Sequence, residues 1–210
     1  MLSNAIRQQA ADILVTAARD RKQAVQLSKT WPDITIEDAY AISTEVANRR
    51  IAAGAKLIGH KVGLTSKAMQ RSSQIDEPDY GHLLDDMMVA DGARVAHENY
   101  CRPRVEIELA FVLGKSLKGP GIGLPDVLRA TEYVVPAIEI VDARLQDPRK
   151  TFDTVADNGA AAPRASASRR ENLTPLARDG AETGRPARRP SSPRQPARPL
   201  CRRMDRGGPW

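Results

Sequence analysis

Two glutamates two positions apart stand in the alternating run Val105-Glu106-Ile107-Glu108-Leu109. In a β-strand this alternation sends Glu106 and Glu108 to one face and the apolar residues to the other. The Cα atoms of the two glutamates would then lie about 7 Å apart, given the rise per residue of a strand. Two carboxylates this close repel each other, and a hard divalent cation removes the conflict because it binds both. The pair is therefore a candidate metal site.

A third acid, Glu139, stands in the apolar run Pro136-Ala137-Ile138-Glu139-Ile140-Val141. An unpaired carboxylate among apolar residues is costly to bury, so Glu139 also needs a partner. A Glu-x-Glu pair is also common on the solvated face of a strand. The spacing alone leaves both interpretations open.

Proton transfer would need an acid or base beside such a site. Lys61 lies in a glycine-flanked stretch, Leu57–Leu64, where apolar neighbours favour the neutral, basic form of a lysine. Asp79 lies in the run Glu77-Pro78-Asp79-Tyr80-Gly81, which has the composition of a turn. The alternatives are a surface lysine at a strand end and an aspartate that only caps a turn.

Helical patterns come first along the chain and strand patterns follow. Apolar residues at spacings of three and four predict an amphipathic helix over residues 2–17. Thr35, with Asp38 three positions later, predicts the start of a second helix that ends near Gly54. Strand-like runs follow at 57–64, 105–113 and 133–141, with a short helix near 126–130. This order predicts an α+β fold with N-terminal helices packed on a mostly antiparallel sheet.

The formal charge of +6 invites a nucleic-acid function, but the charge is unevenly distributed. Residues 160–210 hold 12 Arg, no Lys and 4 acidic residues, so this segment has a net charge of +8 and residues 1–159 a net charge of −2. Residues 160–210 also contain no Val, Ile, Phe or Tyr, which predicts a disordered basic tail. The tail could contact nucleic acid, although it offers only Trp210 for stacking on bases, and nucleic acid is therefore not the expected partner. The other interpretation is an out-of-frame stretch of a GC-rich gene.

Cysteine usage and hydropathy predict a cytoplasmic protein. Cys101 and Cys201 are too few and too far apart for a disulfide framework. The first fifteen residues have no continuous apolar segment, and no later stretch is long enough to span a membrane.

Several motifs together resemble the hydratase/decarboxylase family of the fumarylacetoacetase-like superfamily. The resemblance covers residues 28–158 and rests on His60-Lys61-Val62-Gly63-Leu64-Thr65-Ser66-Lys67-Ala68-Met69, Glu77-Pro78-Asp79-Tyr80-Gly81, Leu84-Asp85-Asp86-Met87, Pro103-Arg104-Val105-Glu106-Ile107-Glu108 and Pro136-Ala137-Ile138-Glu139. It implies a magnesium or manganese ion on Glu106, Glu108 and Glu139. It also implies a β-rich fold and assembly into homo-oligomers.

The resemblance further implies a lyase that acts on a small 2-oxo acid in aromatic catabolism, with Lys61 and Asp79 as catalytic residues. The expected reaction is hydration of 2-oxohept-3-ene-1,7-dioate to 4-hydroxy-2-oxoheptanedioate in the homoprotocatechuate pathway, and the alternative is decarboxylation of a 2-oxo acid. Arg104 and Arg144 are candidates for binding the distal carboxylate. The family continues beyond residue 158 with strands that are not recognisable here. We therefore expect a partial catalytic domain at residues 1–159 and a tail at 160–210, and the activity of this form is an open question.

Overall fold

The computed structural model describes residues 1–73, 76–90, 92–162 and 165–167. Most of the predicted basic tail, from residue 168 onward, lies outside the described residues. Its disorder and its binding to nucleic acid therefore stay predictions. The described residues contain no helix long and apolar enough to cross a membrane.

The described residues form six α-helices. They are α1 (Asn4–Asp20), α2 (Leu27–Thr30), α3 (Ile36–Ala52), α4 (Lys67–Ser73), α5 (Leu124–Ala130) and α6 (Thr151–Ala156). The predicted capping box is confirmed at the start of α3, where Thr35 Oγ1 accepts from the Asp38 amide and Asp38 Oδ2 accepts from the Thr35 amide. Both halves of the box satisfy backbone donors that a helix start leaves unpaired.

A helical core forms where α1, α3 and α6 meet. Apolar positions three and four residues apart place Leu14 of α1 and Ile42 of α3 at 2% and 0% exposure, and Val155 of α6 lies against them at 0%. The amphipathic character predicted for the first helix is confirmed, since Ala10 and Ala17 of α1 are buried, and Ala39, Ile42 and Ala47 of α3 are buried as well. Ile51 is 40% exposed because it lies in the last turn of α3, beyond the packed region.

Six strands form two sheets in the part of the chain that the structure describes. They are β1 (Leu57–Gly63), β2 (Asp79–Leu84), β3 (Met88–Val89), β4 (Pro103–Leu113), β5 (Thr131–Asp142) and β6 (Ala165–Ala167). The first sheet is the antiparallel pair β1–β2, and the second has the order β3-β6-β5-β4. All pairs are antiparallel except β3 with β6. The prediction of a mixed helix and strand fold is confirmed.

The β4–β5 hairpin is longer than predicted and has one apolar face open to solvent. Val105, Ile107 and Leu109 lie on the face opposite the glutamates, as the alternation predicts, but they are 68%, 88% and 64% exposed. Within the described ranges, no element covers this face. The hydrophobic cluster with the most buried residues in the described chain is the helical one, and smaller clusters lie around Leu84 of β2 and Ile140 of β5.

The turn predicted from the residues around Asp79 is confirmed only ahead of the strand, where the chain bends at Asp76 and Glu77, and is wrong for Asp79 itself. Residues Asp79–Leu84 form strand β2, whose Gly81 and Asp79 pair with Lys61 and Gly63 of β1. Turn-forming residue types were the basis of the prediction, but pairing with β1 prevails over local preference here. This correction matters because it puts Asp79 on a sheet face and not at a loop tip.

Ordered structure continues past the predicted boundary at residue 159. Ala160, Ala161 and Ala162 are 5%, 2% and 0% exposed, and the Ala162 amide donates to the Ile140 carbonyl at 2.9 Å. The small alanine side chains can pack in this buried segment. The alanine run, which by composition suggested a tail, is therefore part of the packed fold. Residues Ala165–Ala167 then pair with β5.

Candidate metal centre and its proton-transfer residues

Antiparallel pairing of β4 with β5 gathers three carboxylates on one face. Glu106 lies directly opposite Glu139, and Glu108 lies opposite the small side chain of Ala137. One carboxylate oxygen from each of Glu106, Glu108 and Glu139 falls within 4.8 Å of the others. Glu139 is buried, whereas Glu106 and Glu108 are exposed. The cluster is therefore open on the side of β4 and closed on the side of β5.

The Glu139 carboxylate lies in surroundings that disfavour its negative charge. Burial raises the pKa of its carboxyl, the Lys61 ammonium lowers it, and the negative charges of Glu106 and Glu108 raise it further. Among the described residues, its buried Oε1 finds no hydrogen-bond donor. Three converging carboxylates with an unsatisfied oxygen are a donor set that fits a hard divalent cation such as Mg²⁺ or Mn²⁺.

Lys61 of β1 reaches the same cluster. Its Nζ lies 3.6 Å from Glu139 Oε1 and donates a hydrogen bond to the Gly159 carbonyl at 3.1 Å. The lysine side chain is 12% exposed. The predicted proton-transfer lysine is thus placed beside the carboxylates, with its amino group held by a backbone carbonyl.

Asp79 lies next to Lys61 on the same face of the β1–β2 pair. It is 6% exposed, and its buried Oδ1 has no hydrogen-bond partner within the described part of the chain. Its cross-strand partner is Gly63, where a Cβ atom would come 2.2 Å from Asp79 Oδ1 and 3.2 Å from Lys61 Nζ. Only glycine at position 63 leaves room for both groups.

Asn158 has a role in the site that the sequence did not reveal. Its Oδ1 accepts from the His82 amide at 2.7 Å and its Nδ2 donates to the His82 carbonyl at 3.0 Å, so its side chain pairs with β2 as a strand would. Asn158, Gly159 and Ala160 have φ values of 59°, 58° and 59°, a left-handed turn that presents the Gly159 carbonyl to Lys61. In the sequence, the Asn158-Gly159 dipeptide was the feature that could have predicted this turn, because Asn-Gly pairs favour turns.

The two candidate arginines have different surroundings. Arg104 is exposed and, by alternation along β4, shares a face with Glu106 and Glu108. Arg144 is 8% exposed, and its guanidinium is paired with Asp157 and donates to the carbonyls of Asp157 and Ala161. All three guanidinium nitrogens bond within the protein. These contacts hold the chain together around Asp157, and the binding of a substrate carboxylate by Arg144 stays a prediction.

Comparisons with known proteins agree on one group of relatives. A 2-oxo-hept-4-ene-1,7-dioate hydratase from Escherichia coli is 53% identical over 157 residues, which are 71% of this chain and 59% of the relative. A 2-hydroxypent-2,4-dienoate hydratase from Pseudomonas putida is 46% identical over 151 residues, which are 71% of this chain and 68% of the relative. No family model matches the sequence.

A solved structure has the same fold. The 4-oxalocrotonate decarboxylase from Pseudomonas putida G7, complexed with magnesium and adipate, superposes with a TM-score of 0.76 at 31% sequence identity. The match covers 80% of this chain and 64% of that one. The chain thus spans about three fifths to two thirds of the length of these relatives.

Proposed function

We propose that this chain, which belongs to the hydratase/decarboxylase family of the fumarylacetoacetase-like superfamily, is a metal-dependent lyase that adds water to a 2-oxo-alkenoic acid. The observation that carries the proposal is a cluster of three carboxylates with a lysine beside it. One oxygen of each glutamate lies within 4.8 Å of the others, and Lys61 Nζ lies 3.6 Å from Glu139 Oε1. A metal site with adjacent proton-transfer groups suits this class of reaction.

Glu106, Glu108 and Glu139 would hold the cation, as Mg²⁺ or Mn²⁺. When bound, the cation supplies a Lewis acid for the C1 carboxylate and C2 oxygen of the substrate, which stabilises negative charge on that oxygen. The magnesium in the solved decarboxylase supports this choice of ion. Glu139 contributes a buried ligand fixed by the sheet, while Glu106 and Glu108 contribute ligands from the open side.

Lys61 and Asp79 would move the protons. In hydration of a conjugated 2-oxo-3-ene, the oxygen of water bonds to C4 and a proton is delivered to C3. The Asp79 carboxylate, which is buried and whose Oδ1 has no hydrogen bond from any described residue, accepts the proton that water loses. The Lys61 ammonium, held against the Gly159 carbonyl, donates the proton to C3. The sum of the two transfers is addition of one water molecule.

Lys61 and Asp79 would also serve a 2-oxo-4-ene substrate, whose double bond lies between C4 and C5, as in the name of the E. coli relative. There the proton leaves C3 and another is returned to C5, which brings the double bond into conjugation with the C2 carbonyl. Water then adds at C4 as before. Two groups on one sheet face, able to take and give a proton, are what both steps require.

The finer part of the proposal concerns the substrate. We favour the seven-carbon diacid 2-oxohept-3-ene-1,7-dioate, a place in homoprotocatechuate breakdown, and Arg104 as the residue that receives the distal carboxylate. The 53% identity to the E. coli hydratase and the exposure of Arg104 on the carboxylate face support this choice. The predicted homo-oligomer is a further part of the proposal, and sedimentation velocity tests it.

Decarboxylation is the second candidate, because the solved structural neighbour is a decarboxylase. It would use the same cation site but would break the C1–C2 bond and release carbon dioxide. Identity to the hydratases is higher than to the decarboxylase, 53% and 46% against 31%, which favours hydration.

The experiment is a product analysis of the purified chain with Mg²⁺ and the seven-carbon oxo-diacid. Hydration predicts a product heavier by one water and no carbon dioxide, and chelation of Mg²⁺ stops the reaction. Glu98→Gln, an exposed glutamate outside the cluster, should behave as the parent chain. Release of carbon dioxide identifies the second candidate, and a lack of metal-dependent turnover of either kind contradicts the proposal.

A further inference from the structure

A pair of histidines lies on the opposite face of β1 and β2 from Lys61 and Asp79. His60 and His82 are direct cross-strand partners in the antiparallel pair, and their ring centroids are 5.5 Å apart. Successive residues of a strand point to opposite faces, so the pair is separated by the sheet from the carboxylate cluster. No role in the proposed reaction falls to either ring.

The hydrogen bonds of Asn158 identify the kind of pairing between the two histidines. Both the amide and the carbonyl of His82 bond to the Asn158 side chain, at 2.7 Å and 3.0 Å. In an antiparallel ladder a residue directs both groups to the same side, so those of His82 point away from β1. His60 and His82 are therefore a non-hydrogen-bonded pair, the arrangement that brings opposing side chains closest.

The separation of the rings suits a shared metal ion. Two imidazoles that each bind one zinc ion at the usual Zn–N distance with a tetrahedral angle have ring centroids about 5 Å apart. The observed 5.5 Å is close to that value without rearrangement of the strands.

The surroundings of the two rings fix their orientation. The Tyr80 ring meets His60 and His82 edge-on at 6.1 Å and 6.3 Å, and Tyr40 of α3 stacks on Tyr80 at 4.4 Å. This contact ties the ring cluster to the helical core, so the histidines are presented by a packed surface and not by a loop. Preorganisation of this kind favours ligand binding.

His82 also has an unused ligand atom. Its Nδ1 is buried and has no hydrogen-bond partner among the residues that the structure describes. Burial lowers the pKa of the His82 imidazole, a contact with Asn158 raises it, and His60 lowers it again, so the ring tends to the neutral form that binds metals. His60 is exposed, which leaves one side of the pair open to an ion from solvent.

We propose that His60 and His82 form a second metal site, specific for a borderline transition-metal ion such as Zn²⁺, with water in the remaining positions. Imidazole nitrogen suits zinc, copper and nickel, whereas Mg²⁺ prefers the oxygens of Glu106, Glu108 and Glu139. The two sites thus differ in the ions that they select. An ion on the histidines would link β1 to β2, the two strands that carry Lys61 and Asp79 on their other face.

The test is a calorimetric titration of the full chain with Zn²⁺ in excess Mg²⁺, in a Cys201→Ser background that removes a competing soft ligand. We expect one zinc ion per chain. His60→Ala and His82→Ala should each weaken zinc binding by about tenfold or more, since even the loss of a group that only supports a ligand costs tenfold. His97→Ala, the matched control on the third histidine of the sequence, should leave zinc binding unchanged.

His60→Ala is the decisive variant because His60 is exposed and its loss should not unfold the chain. Zinc should raise the melting temperature of the parent chain and of His97→Ala but not that of His60→Ala. Unchanged zinc affinity in His60→Ala overturns the proposal. Loss of zinc binding in Glu106→Gln also overturns it, because zinc would then occupy the carboxylate cluster.

Discussion

Glu106 of β4 lies directly opposite Glu139 of β5 in the antiparallel register. Like charges at such positions repel and destabilise a sheet. Glu108, two residues along on the same face, adds a third negative charge, and Lys61 balances only part of the total. In the proposed function, a bound divalent cation would remove this repulsion, because it would accept all three carboxylates as ligands.

Lys61→Gln separates proton transfer from metal binding. Turnover should fall by about two to four orders of magnitude, the usual contribution of a positioned acid or base. Affinity for Mg²⁺ should be unchanged or higher, because an ammonium 3.6 Å from Glu139 opposes a second cation. The measurement is steady-state kinetics together with calorimetry. Lys67→Gln is the control, since the Lys67 Nζ donates to Gln70 and not to the cluster. Loss of Mg²⁺ binding with turnover intact would reverse the assignment.

Asn158→Ala should loosen β2. Removal of both hydrogen bonds to the His82 backbone leaves a partly buried amide and carbonyl unpaired, at a cost of about 1–3 kcal/mol in unfolding free energy. Hydrogen exchange at the His82 amide should accelerate accordingly. Ser43→Ala removes only the 3.3 Å contact from Ser43 Oγ to Asn158 and should have the smaller effect. Parent-like exchange at His82 in Asn158→Ala would rule out this anchoring.

Arg144 and Arg104 should respond in opposite ways to replacement by glutamine. Arg144→Gln leaves the buried Asp157 carboxylate without its partner and should reduce unfolding free energy by about 3–5 kcal/mol. Arg104→Gln should alter stability by less than about 0.5 kcal/mol, since Arg104 is exposed, and should raise KM for a diacid substrate. Denaturant unfolding and kinetics measure the two effects. An unchanged unfolding free energy together with a raised KM in Arg144→Gln would instead support Arg144 as a substrate ligand.

Asp38 links α1 to α3 and should make stability depend on acidity. Burial alone raises the pKa of its carboxyl, but hydrogen bonds from the Leu2 amide, Thr35 and Arg7 outweigh burial and lower the pKa from 3.8 to about 2. Because the folded pKa is below the ordinary value, the stabilisation is complete above pH 3.8 and is lost as the pH falls through about 2.

Asp38→Asn should therefore reduce unfolding free energy by about 2–4 kcal/mol at neutral pH, and its difference from the parent chain should shrink in acid. Thermal unfolding across this pH range provides the measurement. Asp33→Asn, at an exposed position just before α3, is the control and should follow the parent chain. A deficit that is the same at every pH would show that the Asp38 charge is not what stabilises the contact.

Those parts of the fold and site that depend on residues close together in the sequence were predictable. Strict alternation placed Glu106 and Glu108 on one strand face, and the Thr35–Asp38 capping box marked the start of α3. Both signals act within a few residues of chain. The juxtaposition of Glu106 with Glu139 depends on the β4–β5 register, which a pattern within either strand does not specify.

The features that the sequence did not specify have the same origin. Asp79 has turn-like neighbours, but pairing with β1 makes it part of a strand. Arg144 has no local pattern that distinguishes a ligand-binding arginine from one enclosed by Asp157 and Ala161. Asn158 acts on His82, which is 76 residues away in sequence. In each case a contact between distant segments determines the role.

The most direct test of the carboxylate site measures Mg²⁺ binding to the parent chain, to Glu106→Gln and to Glu139→Gln. Calorimetry gives the affinity, and the melting temperature gives the stabilisation by the ion. We predict one Mg²⁺ per parent chain and at least about tenfold weaker binding in either variant. Without metal, Glu106→Gln should melt at the same or a higher temperature than the parent chain, because it removes repulsion with Glu139. Glu98→Gln should match the parent in both measurements. Parent-like Mg²⁺ affinity in both cluster variants would contradict the assignment of these glutamates as metal ligands.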